Sequence, residues 1–369
     1  MFRNLIYVKF ILIIFMIALI SVLFIQEVYS YSKEVSLLEE NDKIEKNNKY
    51  DDSRHRYLTI VLAQVGSNIN DSKKPVEVVF KNNFEKFEEQ VKFAKTSFNP
   101  DLIVFPETFL YFSIEDHSIF NKEIPNDITD KICKIAKDND IWIIPGTFFE
   151  KYKGLVYNTA IVVNNKGKIV RKYSKIFPAI PMESLALGKK KFNDDYIDET
   201  GYGIFEIPGK GKIGVIICYD YMYPEIMRTL SWMGAELIIQ PANHMDLHGI
   251  PSVSKSISLT RAVENQCFFA RVNSPEPFGN GHSFFIDPEG ATLIESGEGE
   301  SLIAKTIDLS ESYRVRKYGS FSGGYCFMKH LAVNGPINYP LYKKGIKNGD
   351  LYKQIGLDFP GYKQIILKP

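Results

Sequence analysis

The stretch GVIICYDYMYPEIMR at residues 214–228 places a cysteine where an apolar strand ends and the chain turns toward a helix. The apolar run before Cys218 predicts a buried β-strand, and the residues from Pro224 to Met233 predict a helix. A side chain at a strand end emerges from the core. A free cysteine is nevertheless among the residues most often simply buried, so Cys218 alone does not indicate catalysis.

Two further polar residues end apolar strands elsewhere in the chain. Glu107 follows DLIVF and Pro106, which leaves a carboxylate at the rim of an apolar wall, and Lys175 ends IVRKYSK. Each alone is typical of a solvated strand end. Together the three supply different parts of one reaction, because a thiol near neutral pH needs a neighbouring base and the oxyanion formed on an amide needs fixed donors. This reaction requires no metal and no other cofactor.

Alternating strand and helix patterns continue on both sides of these residues. Apolar residues recur at helical spacing from Phe80 to Ala94, and further helices are predicted near Ile128–Lys137 and Ser252–Glu264. The other predicted strands are YLTIVLA (57–63), IWIIPGTFF (141–149), LVYNTAIVVN (155–164), IVRKY (169–173), ELIIQ (236–240), CFFARV (267–272), HSFFID (282–287), TLIES (292–296) and LIAKTI (302–307). So many strands, joined by crossovers and hairpins, predict an α/β domain with two packed sheets covered by helices.

The composition excludes several classes of function. The 369 residues include 45 Lys and Arg against 44 Asp and Glu, so no overall field favours nucleic acid. The four cysteines form no CxxC pair, which gives no sign of a zinc site or a disulfide framework. His244 and His248 have helical spacing, but no further metal ligand is evident. We therefore expect a small-molecule partner.

The N-terminal residues differ from the rest of the chain. The uncharged run Phe10–Ile25 follows Arg3 and Lys9, which predicts that residues 1–30 are a signal peptide or a membrane anchor. Residues 31–56 are polar and are predicted to be a linker, residues 57–309 the catalytic domain and residues 310–369 a C-terminal extension. The charge pattern predicts an exported domain, either anchored and facing the non-cytoplasmic side, or secreted or periplasmic after cleavage.

At these residues the chain resembles the nitrilase superfamily of carbon-nitrogen hydrolases, over about Tyr57 to Leu309. Five blocks in order carry the resemblance: FPET (105–108), NTAIVVNNKGKIVRKYSK (158–175), GVIICYDYMYPEIMR (214–228), TRAVENQ (260–266) and GHSFFIDPEG (281–290). The resemblance implies a four-layer α-β-β-α sandwich, a catalytic Glu107–Lys175–Cys218 triad and a homo-oligomer.

Details of the blocks narrow the branch. KIFPAIPMES after Lys175 resembles the aliphatic amidase and formamidase pattern, which implies that Glu183 is a second catalytic glutamate. Tyr219 and Asp220 resemble amidases and carbamoylases, which disfavours nitriles as substrates. We also predict that Tyr219, Asn243 and His244 contact the substrate.

The sequence therefore predicts hydrolysis of a carbon–nitrogen bond in a small amide or carbamoyl compound through a cysteine thioester. Two alternatives stay open. The same residues would serve an N-acyltransferase, to which the membrane-directed N-terminus points, or the sandwich would be a catalytically silent scaffold.

Overall fold

The computed structural model describes residues 54–67, 73–114, 116, 118–179, 202–244, 251–320 and 327–329. Within them the apolar runs form strands of two separate sheets, of seven and six strands. The first sheet contains β1 (Tyr57–Gln64), β2 (Leu102–Val104), β3 (Trp142–Ile144), β4 (Thr147–Tyr152), β5 (Leu155–Val163), β6 (Ile169–Ser174) and β13 (Ser301–Asp308). The second contains β7 (Ile204–Ile207), β8 (Gly211–Val215), β9 (Leu237–Pro241), β10 (Phe268–Val272), β11 (Phe284–Ile286) and β12 (Thr292–Glu295).

Five α-helices accompany these strands in the described part of the chain. They are α1 (Val76–Phe98), α2 (Asp127–Asp138), α3 (Pro224–Trp232), α4 (Pro251–Asn265) and α5 (Ser310–Tyr318). Helix α1 buries Phe87, Val91 and Ala94, residues of the helical apolar pattern. Helix α2 begins at an Asn126 capping box that satisfies the first backbone N–H groups.

Three apolar clusters define the layers of the fold. One lies between the sheets and joins residues such as Ile60 and Ile239. A second lies between the first sheet and helices α1 and α2, and a third between the second sheet and helices α3 and α4. The arrangement is a helix–sheet–sheet–helix sandwich, so the predicted α/β fold class is confirmed.

The directions of the strands bring the polar residues that follow them to the same edge of the two sheets. Strands β1, β2 and β3 are parallel, and β6 runs in their direction because β3 and β6 are both antiparallel to β5. In the second sheet β8, β9 and β10 are parallel. Glu107 follows β2, Lys175 follows β6 and Cys218 follows β8, so each lies beyond the carboxyl end of a strand, where ligand sites of α/β folds are found.

The structure differs from the sequence prediction in four places. The predicted strand IWIIPGTFF (141–149) is two strands, β3 and β4, with Pro145 and Gly146 between them. The strand before Cys218 ends at Val215, and Cys218 begins a short 3₁₀ turn instead. The hairpin strand β7 was not predicted; its four residues are too short for a clear period. Beyond Leu309, where no periodicity is evident, helix α5 packs Val315 into the core and Arg316 donates to the carbonyl oxygen of Ala235.

Several predictions fall outside the described residues. These are the signal or anchor of residues 1–30, most of the linker, and most of the C-terminal extension. None of the described helices has the length and apolar character needed to cross a bilayer.

Candidate active site

Glu107 lies at a sharp bend beyond β2. Thr108 has a positive φ of 55°, and Gly146 passes so close that a Cβ there would lie 2.1 Å from the carbonyl oxygen of Pro106. Gly146 itself has a φ of 85°, which glycine adopts without strain. The Pro-Gly pair after β3 therefore lets the backbone of Glu107 sit against the neighbouring strand end.

The carboxylate of Glu107 is buried and accepts hydrogen bonds on both oxygens. Its Oε1 lies 2.8 Å from Lys175 Nζ and 2.8 Å from Asn158 Nδ2. Its Oε2 accepts a bond of 3.0 Å from the backbone N–H of Asn243, which follows β9 of the other sheet. Donors of this kind favour the charged carboxylate against the cost of burial. Glu107 is therefore held in a fixed orientation by groups from both sheets.

Lys175 is one of the largest fully buried side chains, with 1% of its surface exposed. Its backbone N–H donates to the carbonyl oxygen of Asn158, which extends the pairing of β5 and β6. Since an ammonium without a partner is costly to bury, the ion pair with Glu107 is what makes this position possible.

Cys218 is 6% exposed and has a left-handed backbone with a φ of 42°. This conformation is uncommon for a residue with a Cβ and persists where neighbouring contacts impose it. Here the amide of Gln240 donates to the Cys218 carbonyl oxygen at 2.8 Å, and the backbone N–H of Ile217 donates to Asp220 at 3.1 Å. These contacts hold the turn that places Cys218 at the strand-end edge.

Asp220 joins this turn to the segment after Lys175. Its carboxylate accepts from the backbone N–H groups of Ile176 and Phe177 and from the hydroxyl of Tyr173. Complete burial raises the pKa of the Asp220 carboxyl to about 6, and these hydrogen bonds and the charge of Lys175 oppose the rise. Burial, followed by the charge and hydrogen bond of Asp220, also raises the pKa of the Tyr173 phenol well above its usual value.

The residues predicted to contact the substrate lie at the same edge. Asn243 and His244 follow β9, where the His244 backbone is held by the side chain of Asn273. The Asn243 Oδ1 atom is buried and has no hydrogen-bond partner among the described residues. Tyr219 is half-buried, with its ring 5.8 Å from that of Tyr223. Glu183 and His248 lie outside the described residues.

Four residues of this edge were not given roles by sequence reasoning: Asn158, Asp220, Gln240 and Asn273. Asn158 and Asp220 lie within the blocks quoted above, and Gln240 and Asn273 end apolar strands. The sequence signal for these residues is a polar side chain in or just after an apolar strand. That signal does not reveal the hydrogen-bond partner of the side chain.

The described residues place a buried carboxylate, a buried ammonium and a thiol at one edge. No group of three or more His, Cys, Asp or Glu side chains among these residues is placed to hold a metal ion. Asp220 links the Cys218 turn to the segment after Lys175, and a carboxylate, an ammonium and a thiol at one edge are groups that covalent acyl transfer can use.

The sequence and the fold are similar to those of known amidases and nitrilase-superfamily proteins. A family model described as carbon-nitrogen hydrolase matches residues 62–317. The chain is 31% identical over 252 residues to the 2-oxoglutaramate amidase of Bacillus subtilis, over 64% of this chain and 92% of that protein. It is 26% identical over 254 residues to the deaminated glutathione amidase of Rattus norvegicus, over 64% of this chain and 75% of that protein. The crystal structure of Nit3 of Saccharomyces cerevisiae, a member of branch 10 of the nitrilase superfamily, matches with a TM-score of 0.58 and 24% identity, over 71% of this chain and 94% of that one.

Proposed function

The chain belongs to the carbon-nitrogen hydrolase family and is an amidase-type hydrolase, and from this premise we propose that it cleaves small amides through a thioester on Cys218. The observation that carries the proposal is the buried Glu107–Lys175 pair at the edge where the Cys218 turn lies. A buried charge pair is costly to keep for stability alone, so its place beside a nucleophile supports a catalytic role.

In the first half of the reaction Glu107 takes the thiol proton, and the Cys218 sulfur attacks the amide carbonyl carbon. The oxyanion that forms accepts hydrogen bonds from Lys175 Nζ and the backbone N–H of Tyr219. Glu107 then gives its proton to the departing nitrogen, the carbon–nitrogen bond breaks, and a thioester remains.

In the second half Glu107 removes a proton from water, and the hydroxide oxygen attacks the thioester carbon. The same donors hold the second oxyanion, the carbon–sulfur bond breaks, and the Cys218 sulfur recovers its proton from Glu107. The carboxylic acid product leaves, and no metal or cofactor takes part.

A buried acceptor at this edge supports primary amides as the substrate class. A primary amide has two N–H donors, and the buried Asn243 Oδ1 without a described partner suits one of them. Tyr219 and His244 would line the same space, and Glu183 would orient the amide. The name of the 2-oxoglutaramate amidase favours a primary amide of a small organic acid over a carbamoyl compound.

The test is ammonia release by the purified chain from short primary amides, carbamoyl amino acids and nitriles. We expect release from amides, and none in a Cys218→Ser control, whose hydroxyl is a far weaker nucleophile at this site. A chain that releases ammonia from nitriles alone, or that needs an added amine acceptor to consume an amide, contradicts the proposal.

We also propose that the enzyme is a homo-oligomer that works outside the cytoplasm, anchored by its N-terminal run or released after cleavage. The uncharged run after Arg3 and Lys9 supports export.

A further inference from the structure

We propose that Asp220 is a positioning residue, which fixes the Lys175 ammonium relative to the Cys218 thiol by binding the backbone beside each of them. The inference deepens the amidase proposal and rests on it, since it assigns a role within the same site.

The two oxygens of the Asp220 carboxylate divide between the two backbone segments. Oδ1 accepts from Ile176 N at 3.2 Å and Phe177 N at 2.9 Å, the two residues directly after Lys175. Oδ2 accepts from Ile217 N at 3.1 Å, the residue directly before Cys218. One rigid planar group therefore holds the neighbours of the ammonium and of the thiol at the same time.

This bridge matters because Lys175 and Cys218 belong to different sheets. Lys175 follows β6 of the first sheet and Cys218 follows β8 of the second, and no strand pairing joins the two sheets in the described chain. Sheets packed face to face lie about 10 Å apart, held by apolar contacts that have no direction. An error of about 1 Å in the placement of reacting groups costs on the order of 10²-fold in rate. Asp220 is thus a directional contact between the two sheets at this edge, in addition to the one that the Asn243 N–H makes to Glu107.

Only an ionised carboxylate satisfies this set of neighbours. Three backbone N–H groups and the Tyr173 hydroxyl, 2.8 Å from Oδ2, all point at it as donors. An asparagine would keep one oxygen but would set its amide N–H against a donor on the other side. Asp220 is completely buried, so water does not replace the lost acceptor.

The charges around Asp220 give the bridge a pH dependence. The positive charge of Lys175 favours the ionised Asp220 carboxylate, and Glu107 is the ion-pair partner of Lys175. The Tyr173 phenol on β6 also faces the Asp220 carboxylate, and Tyr202 interacts with that phenol. The raised pKa of Asp220, about 6, means that acid neutralises the carboxylate below that pH. The acceptor is then weakened, so turnover should fall on the acid side of about pH 6.

The test compares three variants of the full chain, Asp220→Asn, Tyr173→Phe and Glu236→Gln. Glu236 is a matched control, because it is a buried carboxylate that bonds Arg56 at the opposite edge of the second sheet. The readouts are kcat and KM for the best amide across pH 5–9, and the rate at which iodoacetamide alkylates Cys218, followed by mass spectrometry.

For Asp220→Asn we expect kcat to fall about 10²-fold with KM changed only a few-fold, and the acid limb near pH 6 to disappear. For Tyr173→Phe we expect a fall of only a few-fold, with the acid limb moved to higher pH, because the Tyr173 hydrogen bond lowers the pKa of Asp220. Glu236→Gln should lose stability without moving the limb.

The inference is overturned if Asp220→Asn keeps kcat within about threefold with an unmoved acid limb, or if the limb stays in place in Tyr173→Phe. If Asp220→Asn does not fold, the position of the acid limb in the kcat profile of Tyr173→Phe decides whether Asp220 has this role. If the wild type cleaves no amide, the amidase proposal fails, and the pH profile of Cys218 alkylation in wild type and Tyr173→Phe still decides the role of Asp220.

Discussion

Replacing Glu107 by glutamine tests how strongly the two sheets depend on the buried charge pair. The glutamine amide offers one oxygen where the carboxylate offers two. If the glutamine oxygen faces Lys175 and Asn158, the glutamine N–H groups face the N–H of Asn243. If the amide is rotated by half a turn, its N–H groups face the Lys175 ammonium instead. In both orientations a buried donor loses its acceptor, and the 1% exposed Lys175 loses its ion-pair partner Glu107.

We expect this substitution to cost about 3–5 kcal/mol of unfolding free energy, the range for breaking a buried ion pair by removing one partner. Lys175→Met should cost a similar amount. The double variant removes both charges of the pair, so its loss should be smaller than the sum of the single losses by about 2–3 kcal/mol. Each of the three variants should also lose at least ~10²-fold in kcat.

The assay is urea unfolding at pH 7, followed by circular dichroism on wild type, both single variants and the double variant. Lys81 and Glu85 provide the control cycle, because this pair on α1 is 3.6 Å apart with side chains 72% and 58% exposed, where coupling is expected to be small. Single losses for Glu107 and Lys175 that add to within about 0.5 kcal/mol would refute the argument, because additivity means that neither charge is stranded by removal of the other.

Three further predictions concern the nucleophile, the backbone beside the base, and the N-terminus. Cys218→Ala should abolish ammonia release while circular dichroism and the urea midpoint stay near wild type, because the change removes a small side chain; residual turnover would mean another nucleophile. Gly146→Ala should destabilise the fold by about 2 kcal/mol or more and impair turnover, since the new Cβ would meet the Pro106 carbonyl oxygen at 2.1 Å; unchanged urea unfolding would contradict it. Protease added to spheroplasts should reach the domain without lysis, and N-terminal sequencing then distinguishes a cleaved chain that starts near Tyr31 from an anchored chain with an intact Met1.

Local sequence patterns were sufficient to predict the α/β class, most strands and helices, and the family. Apolar runs that end in Glu107, Lys175 and Cys218 are local patterns, readable because burial of alternating or continuous apolar residues sets secondary structure. The five sequence blocks carried the resemblance, and the carbon-nitrogen hydrolase match to residues 62–317 confirms it. Helix α5 escaped prediction because nine residues form a stable helix only when packed, here against the ends of β9 and α4.

The hydrogen-bond partners of the buried polar side chains depend on the tertiary structure. Glu107 is bound by a donor 51 residues later in the chain and by another 136 residues later, and Asp220 binds a segment more than 40 residues earlier. No local pattern encodes such pairs, because they arise where two sheets pack and their strand ends meet. Apolar packing brings the two sheets together, and directional hydrogen bonds set the orientation of Glu107, Lys175 and Asp220 at their edge. That is why the residue types could be predicted from the sequence, while the bridge through Asp220 and the three donors on Glu107 could not.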